Sequence, residues 1–370
     1  MSLKIENITL ERFRAFRELT IRGLGRVNLI TGKNNIGKSS VLEGLSLLAN
    51  NATPDVIYDI LRYREENIEE AEEEGNPADP DSLFLVSGLF HGFPLLSEDP
   101  EPIAISTTSG KSSSMSMTIH LDWFLEEPDS DGVKLVLLDK PEPDGIAALR
   151  VETQDTTRTH RLDRFGRYLH PMHRARFKSS NGTRMSCIFV SPYSGESTEV
   201  LGPLWDKIAL SDREKDVVEG LRIIDPQISA VSMVGSTRRK LTAIVRTDNI
   251  ARPIPLRSFG DGLNRLFGII LALVNARGGL LLVDEFENGL HHTVQLDVWR
   301  TIFRLAQTLD IQVFATSHSW DAVEAFQEAA AEAPEEGALI RLARRDEDII
   351  STVLSEDELA IATRDQIEVR

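Results

Sequence analysis

The chain lacks the features of secreted and membrane-spanning proteins. Its 370 residues include one cysteine, Cys187, so no disulfide can form within the chain, which is typical of a reducing compartment. The longest apolar run, residues 266–274, is far shorter than the roughly 18 residues that a membrane-spanning helix needs. The N-terminus mixes charged with apolar residues and does not resemble a signal peptide. These absences predict a cytoplasmic protein with no membrane contact.

Positive charge is also scarce. The 41 Lys and Arg residues are outnumbered by 58 Asp and Glu residues, which gives a net charge of −17. Because DNA binding relies on basic side chains that displace counterions from phosphates, any nucleic-acid contact must come from a local basic patch.

Long heptad repeats are absent as well, which argues against a long coiled coil. The hydrophobic fraction of 41% is that of an ordinary globular protein.

A phosphate-binding motif stands near the N-terminus. It reads Gly-Lys-Asn-Asn-Ile-Gly-Lys-Ser over residues 32–39, after a predicted strand at 27–31 and at the start of a predicted helix at 38–48. Backbone N–H groups of such a loop, together with the helix N-terminus, bind phosphates. Lys38 is expected to reach the β- and γ-phosphates, and the Ser39 hydroxyl to ligate Mg²⁺. The predicted nucleotide-binding residues are Gly32, Asn34, Asn35, Gly37, Lys38, Ser39 and Ser40.

Two carboxylates follow an apolar strand much later in the chain. Asp284 and Glu285 come directly after Leu280–Val283, at the strand end where open α/β sheets bind ligands. Asp284 is expected to hold Mg²⁺ through water, and Glu285 to orient the attacking water or to accept its proton. Two solvated acids at a strand end are the alternative. The distance of this pair from Lys38 along the chain predicts a separate lobe between them, and the strand–helix alternation predicts an α/β fold.

Three further segments point to the same site. In Leu256–Gly262, a serine and glycines precede a helix, which suits either anion binding or a simple N-cap at Ser258. His318 follows a predicted strand at 313–315, where a structural histidine is the alternative. Arg14 and Phe16 precede the phosphate-binding loop, and Phe16 is equally suited to core packing.

Together these motifs resemble the ABC-type ATPases of the SMC and RecF kind, which are often catalogued as AAA-family proteins. The chain is similar to the ATPase domain of the overcoming-lysogenisation-defect (OLD) family. The resemblance implies a P-loop NTPase fold of the ABC ATPase-head type, with a mixed α+β second lobe inserted between the P-loop and the signature motif. On this basis residues 1–100 and 251–370 form the head, and residues 101–250 form the inserted lobe.

The resemblance also implies a mechanism. Two copies of the chain would enclose two ATP molecules with Mg²⁺, which Ser39 and Asp284 bind. The signature residues Ser258, Gly260, Asp261 and Gly262 would contact the γ-phosphate held by the other copy. Residues 287–292 resemble the D-loop at the dimer seam. Glu285 and His318 are the implied catalytic residues, His318 as the γ-phosphate switch, and Arg14 is implied to contact a phosphate or the partner head.

The chain departs from its relatives in two ways. Members of the OLD group often work with a TOPRIM-type nuclease in phage defence, but the sequence after the switch segment has no cluster of acids for such a domain. It is therefore not expected to be a nuclease. The magnesium-binding glutamine of the Q-loop is not recognisable either, and residues 85–93 occupy roughly its place.

A basic stretch at residues 158–184 contains eight Lys or Arg residues with interleaved Phe, Tyr and His. A solvated loop, a docking site for an acidic protein and a nucleic-acid site all suit this composition. The favoured function is a slow ATPase switch that controls a separate effector, such as a TOPRIM-type nuclease or a toxin, in phage defence. The alternative is a RecF/SMC-like DNA-repair or chromosome-maintenance ATPase that acts directly on DNA. A transporter motor is disfavoured, because such subunits are shorter and lack the central segment.

Overall fold

The computed structural model describes residues 3–64, 84–94, 99–110, 113–129, 132–140, 145–162, 185–192, 198–237, 240–334, 336–354 and 356–364. The strands in these ranges are β1 (Asn7–Phe13), β2 (Phe16–Arg22), β3 (Val27–Thr31), β4 (Ile103–Ser109), β5 (Ser113–Asp129), β6 (Gly132–Leu138), β7 (Ile146–Thr153), β8 (Thr157–Arg161), β9 (Cys187–Val190), β10 (Ile228–Thr237), β11 (Lys240–Thr247), β12 (Ile254–Pro255), β13 (Leu280–Val283), β14 (Gln312–Thr316), β15 (Gly337–Arg345) and β16 (Asp348–Leu354). The helices are α1 (Lys38–Ala49), α2 (Pro54–Tyr63), α3 (Phe84–Ser87), α4 (Thr198–Asp206), α5 (Arg213–Leu221), α6 (Asp261–Asn275), α7 (His292–Thr308), α8 (Trp320–Ala331) and α9 (Glu356–Arg364), and a 3-10 helix spans Leu256–Phe259. Of the helices within the described ranges, none has the length and hydropathy to cross a bilayer.

A six-stranded sheet carries the nucleotide motifs. Its strand order is β16-β15-β3-β14-β13-β9, with β15 and β16 antiparallel and the other neighbours parallel. Every residue of β3, β13 and β14 is buried, because both faces of the sheet are covered. Parallel strands end at the same edge, so the loops that follow β3, β13 and β14 lie side by side.

A seven-stranded antiparallel sheet packs on α1, the helix that also lies against the parallel sheet. Its order is β2-β1-β4-β5-β7-β8, with β6 paired to β5. Buried apolar residues alternate with more exposed polar residues along its strands, because one face covers the core and the other faces solvent. In β1, for example, Ile8 and Leu10 are buried, whereas Asn7 and Thr9 are half-buried. Gly44 of α1 lets this sheet approach closely, since a Cβ there would lie 2.5 Å from Leu10 Cδ2.

A smaller antiparallel sheet, β10-β11-β12, adjoins the signature segment. It packs with α4 and α5 against α6, which is buried along most of its length. Trp205 of α4 lies against Phe267 of α6, with ring centroids 6.2 Å apart. The helix that begins at the signature motif is therefore fixed on several sides by apolar contacts.

Most predicted elements lie where the sequence patterns place them. Runs of apolar and β-branched residues predict strands near residues 5–31, 103–105, 117–121, 133–138, 147–151, 228–233 and 241–245, and the structure confirms them. The helices predicted after the P-loop and the signature motif are confirmed as well. The sequence also predicts a second helix over residues 55–73. The structure has α2 there, which ends at Tyr63, and residues 65–83 lie outside the described ranges. The Pro, Asp and Gly residues of 128–132 predict a turn, but β5 extends into it as far as Asp129, because its last residues pair with β6.

The boundaries proposed at residues 101 and 250 stay a prediction. Strands β4 to β8 continue the sheet that β1 and β2 begin, and β9 joins the parallel sheet beside β13. The segment between the P-loop and the signature motif thus contributes to all three sheets. Most of the basic stretch, residues 163–184, lies outside the described residues.

Candidate functional site: a P-loop cavity

The loop after β3 has the shape that phosphate binding requires. Gly32 and Gly37 have φ of +146° and +93°, a region that L side chains rarely adopt. A Cβ on Gly32 would lie 2.7 Å from the carbonyl oxygen of Leu342, and a Cβ on Gly37 would lie 2.6 Å from Cζ of Phe16. The loop therefore needs glycine at both positions for conformational and steric reasons.

Lys38 occupies the hollow of this loop. Its Nζ donates hydrogen bonds to the carbonyl oxygens of Gly32 and Lys33, at 2.7 and 3.0 Å. Burial lowers the pKa of Lys38, and the nearby carboxylates Glu287, Asp284 and Glu285 oppose that shift. The ammonium group thus has backbone acceptors in place of the phosphate oxygens that it is predicted to bind.

The two ends of the nucleotide motif meet through one carboxylate. Asp284 Oδ1 accepts hydrogen bonds from Ser39 Oγ at 3.0 Å and from Thr316 Oγ1 at 2.5 Å. Thr316 Oγ1 in turn accepts a hydrogen bond from the backbone N–H of Glu285 at 2.9 Å. Glu285 has φ of +48°, a strained value for a residue with a side chain, and such strain tends to occur at functional sites. The predicted P-loop serine and strand-end carboxylates are therefore brought together.

These groups line a cavity of about 550 Å³. Of the predicted site residues, the cavity wall includes Arg14, Asn34, Asn35, Gly37, Lys38, Ser39, Ser40, Asp284, Glu285 and His318. The other lining side chains with polar or aromatic groups are Arg64, His91, Phe93, Thr316, Arg344 and Glu347, of which His91 and Phe93 belong to the segment 85–93 that occupies roughly the place of the Q-loop. They come from four separate segments, which lie after α2, after α3, at the end of β14 and in the β15–β16 hairpin, so no single local pattern marks them.

Arg14 belongs to a buried ion-pair group at the cavity wall. Its Nε lies 3.0 Å from Glu43 Oε2, and the Arg14 and Glu43 side chains are only 4% and 1% exposed. Arg64 Nε contacts the other oxygen of Glu43 at 2.7 Å, and Arg64 NH2 donates to Ser40 Oγ at 3.3 Å. Two guanidinium groups against one carboxylate leave this wall net positive, which suits a polyanionic ligand.

The segment predicted to replace the Q-loop lies beside Arg14. The backbone N–H of Arg14 donates to Leu89 O, and Arg14 NH1 donates to Gly88 O at 2.7 Å. His91 Nδ1 lies 3.1 Å from Arg14 O, which requires the Nδ1-protonated tautomer and leaves Nε2 as an acceptor. Phe16, by contrast, is buried beneath Gly37, so the structure favours its packing role.

The signature residues lie outside the cavity. Ser258, Gly260 and Asp261 are exposed at the start of α6, and they are not among the described residues that line the cavity. A Cβ on Gly262 would lie 2.9 Å from the carbonyl oxygen of Gly289, so the D-loop packs directly on this helix start. Arg265, buried in α6, donates to the carbonyl oxygens of Ser191, Asp284 and Glu285. One helix thereby joins the exposed signature to the carboxylates.

The residues present suit a magnesium nucleotide. A hydroxyl and a carboxylate, Ser39 and Asp284, already touch, and Mg²⁺ in nucleotide sites takes few protein oxygens and completes its shell with phosphates and water. The glycine-shaped loop and the N-terminus of the twelve-residue α1 provide amide donors for phosphate oxygens. ATP bound here would supply the phosphoanhydride bond, while Lys38, Ser39 and Asp284 would hold the phosphates and the metal.

Comparison with known proteins agrees with this geometry. A protein-family model described as "AAA ATPase domain" matches residues 3–118. A second family model, described as "AAA domain, putative AbiEii toxin, Type IV TA system", matches residues 140–323. An ATP/GTP phosphatase of Helicobacter pylori is 22% identical over 346 residues, which is 86% of each protein. An uncharacterized protein of Methanocaldococcus jannaschii is 54% identical over 43 residues, which cover 12% of this chain and 20% of that protein.

Solved structures of similar fold include heads of SMC proteins. An SMC head bound to the C-winged helix domain of ScpA has a TM-score of 0.51 and 11% identity, over 95% of this chain and 98% of that one. An Smc head with an extended coiled coil, bound to the C-terminal domain of ScpA derived from Pyrococcus furiosus, has a TM-score of 0.50 and 10% identity, over 100% of both chains. The predicted fold class is confirmed: the chain has a P-loop NTPase fold of the ABC ATPase-head type, and its sequence matches AAA-family ATPase domains.

Proposed function

We propose that the chain binds ATP with Mg²⁺ and hydrolyses it at the cavity between the P-loop and the β13 carboxylates. The contact between Ser39 and Asp284 carries this proposal, because it joins a P-loop hydroxyl to a buried carboxylate at one sheet edge. The matches to ATPase domains and to a phosphatase of ATP and GTP support hydrolysis as the activity.

The position of each residue at the cavity indicates its role in the reaction. Lys38 exchanges its carbonyl partners for the β- and γ-phosphate oxygens, and Ser39 and Asp284 provide Mg²⁺ ligands. Glu285 stands next to this group, and a carboxylate there can orient a water molecule and accept its proton. His318, at the end of the neighbouring strand, lines the same cavity and can hydrogen-bond the γ-phosphate.

The active assembly is a homodimer with ATP at the interface. The cavity of one copy lacks the anion-binding signature residues, which are exposed at the start of α6. A second copy, turned so that Ser258 and Gly260 face the first copy's cavity, would provide the missing amide and hydroxyl donors. ATP would then close the dimer, and hydrolysis would open it.

The cycle controls a separate effector of phage defence, such as a TOPRIM-type nuclease or a toxin. The acidic balance of the chain supports this role over direct DNA binding. In the described part of the basic stretch, Arg161 NH1 pairs with Glu126 Oε1 at 2.7 Å, so this arginine is already neutralised. The fold similarity to SMC heads favours the second candidate, a DNA-repair or chromosome-maintenance ATPase.

The first experiment measures solution mass with and without Mg-ATP in the Glu285→Gln variant. This variant should retain ATP because it lacks the base, and it should convert from monomer to dimer when ATP is added. Adding Ser258→Arg should keep ATP bound and abolish the dimer, while Glu328→Gln, on the exposed surface of α8, serves as the matched control. A mass that ATP leaves unchanged would contradict the switch, and absence of ATPase activity in the parent would contradict the enzyme.

Two further measurements separate the roles. Tight DNA binding by the ATP-bound dimer, weakening steeply with salt, would replace the effector role with the DNA-acting one. Co-purification and activation of an adjacent gene product only in the presence of ATP would support the effector role.

A further inference from the structure

The hairpin β15–β16 rises beside the P-loop. Strand β15 pairs with β3 in parallel, and Arg341 lies opposite Thr31, the last residue of β3. Strand β15 nevertheless continues to Arg345, so it extends past the sheet edge by on the order of 13 Å, at about 3.3 Å per residue. The hairpin therefore forms a wall next to the loop that follows β3.

This wall is held in a defined place. Its strands pair in register up to Arg345 and Asp348, which leaves a two-residue turn. Asp348 Oδ2 lies 2.7 Å from Arg17 NH2, and Ser351 Oγ donates to the backbone oxygen of Thr20 at 2.7 Å. Both contacts fix the hairpin to β2, next to the turn that carries Ala15 of the cavity wall.

Two side chains of the hairpin, Arg344 and Glu347, line the cavity. Neither takes part in the P-loop and carboxylate contacts described above. Arg344 lies in β15 and Glu347 in the turn, and both are exposed, so a ligand can reach both. A cation and an anion on one wall of the cavity suit a ligand with mixed polarity better than they suit a phosphate chain.

The sheet order assigns the two ends of the cavity. Asp284 and Glu285 follow β13, two strands from β3 on one side, and the hairpin follows β15, the neighbour of β3 on the other side. Because the γ-phosphate must face the carboxylates and the metal, the phosphate chain runs from the P-loop toward β13. The nucleoside therefore leaves the P-loop on the side of the hairpin.

We propose that Arg344 and Glu347 form the nucleoside subsite, an assignment that rests on the proposed ATP binding. The planar guanidinium of Arg344 lies against the purine face, and the carboxylate of Glu347 accepts a hydrogen bond from a ribose hydroxyl. The site thereby distinguishes a nucleoside triphosphate from a bare chain of phosphates.

The test compares ATP, 2′-deoxy-ATP and inorganic tripolyphosphate by calorimetry with Mg²⁺, in the Glu285→Gln background. Arg344→Ala and Glu347→Ala should each weaken ATP binding about tenfold, the size of one lost charge-assisted contact, and leave tripolyphosphate binding unchanged. Arg345→Ala is the matched control, because Arg345 is the exposed neighbour that does not line the cavity. If Glu347 contacts the 2′-hydroxyl, its variant should bind ATP and 2′-deoxy-ATP alike.

The outcomes separate this subsite from the proposed function. Unchanged ATP affinity in both hairpin variants, with Lys38→Ala binding neither ligand, would overturn the nucleoside subsite and leave the ATPase intact. Equal losses of ATP and tripolyphosphate would overturn it as well, because the hairpin would then act on the phosphates. A parent protein that binds neither ligand would refute the ATP site itself. Thermal unfolding of each variant checks that it is folded.

Discussion

Glu287 holds His318 at two points. Its Oε1 accepts a hydrogen bond from the His318 backbone N–H at 2.8 Å and lies 3.0 Å from His318 Nδ1. Glu287 is 11% exposed and belongs to the D-loop after β13, whereas His318 is 53% exposed and follows β14. The loop that follows β13 therefore positions the histidine that follows the neighbouring strand, β14.

We expect the effects of Glu287→Ala and His318→Ala on the ATPase rate to be non-additive, because the two side chains are in contact. Each should lower the ATPase rate, and the double variant should lower it little more than either single variant, with a coupling of about 1 kcal/mol, typical of residues in contact. Steady-state rates of the four proteins provide this double-mutant cycle. Glu324→Ala, an exposed residue of α8, should leave the rate unchanged. Fully additive losses would mean that the two residues act separately.

Arg265→Lys should weaken the hydrogen bonds that connect α6, the helix after the signature motif, to the backbone of Asp284 and Glu285. The buried guanidinium donates to three carbonyl oxygens, and an ammonium group cannot reproduce that planar arrangement. We expect the free energy of unfolding to fall by about 1–3 kcal/mol, as for lost buried hydrogen bonds, and the ATPase rate to fall with it. Urea denaturation measures the first effect. Arg304→Lys, at an exposed ion pair on α7, should behave like the parent.

Cys187 should be an unreactive thiol in the folded protein. Burial in β9 raises the pKa of Cys187 to about 12, and a hydrogen bond with the side chain of Asn50 opposes that shift only in part. Because only the thiolate attacks disulfide reagents, labelling at pH 8 should be slow in the native state and should reach one equivalent in denaturant. The raised pKa stabilises the fold below pH 9, and this contribution is lost as the pH rises from 9 toward 12. Because Cys187 is half-buried, fast native labelling would show that reagent and solvent reach its thiol in the folded state.

His160 should make the fold sensitive to mild acid. Burial lowers the pKa of His160 to about 4, with Arg158 adding to the shift and a hydrogen bond to the Ala52 backbone opposing it. Its neutral form therefore stabilises the fold above pH 6.5, and this contribution declines as the pH falls from 6.5 toward 4. Melting temperatures at pH 7 and pH 5 should differ more for the parent than for His160→Gln. His292→Gln, at an exposed site on α7, should keep the parent's difference.

The sequence predicts the site best where the chemistry is local. The P-loop and the pair Asp284 and Glu285 each consist of neighbouring residues beside an apolar strand, so their patterns indicate both position and role. No such pattern marks Arg64, and the position of segment 85–93 in the sequence gives no role to His91, because the place of both side chains at the cavity depends on contacts with Glu43 and Arg14. Loops that converge through tertiary packing leave no periodic signal in the chain.

Part of the fold is also not predictable from the sequence. The strand β8 and the pairing of β9 with β13 are not predictable from their four or five residues, since short apolar runs are ambiguous. Their partners are chosen by the sheets that flank them. The fold class, by contrast, follows from the alternation of strands and helices after residue 261, which spans enough of the chain to be distinctive.

The position of β3 has a consequence for how the protein is made. Its neighbours in the sheet are β14 and β15, and Asn28 Nδ2 donates to Val313 O across 285 positions of sequence. During synthesis the ribosome therefore releases this apolar strand long before either neighbour exists. The growing polypeptide must keep that strand from pairing elsewhere for many seconds, at about 5–20 residues per second. A translation product that ends before β14 would have the complete phosphate-binding loop but neither of the strands that pair with β3.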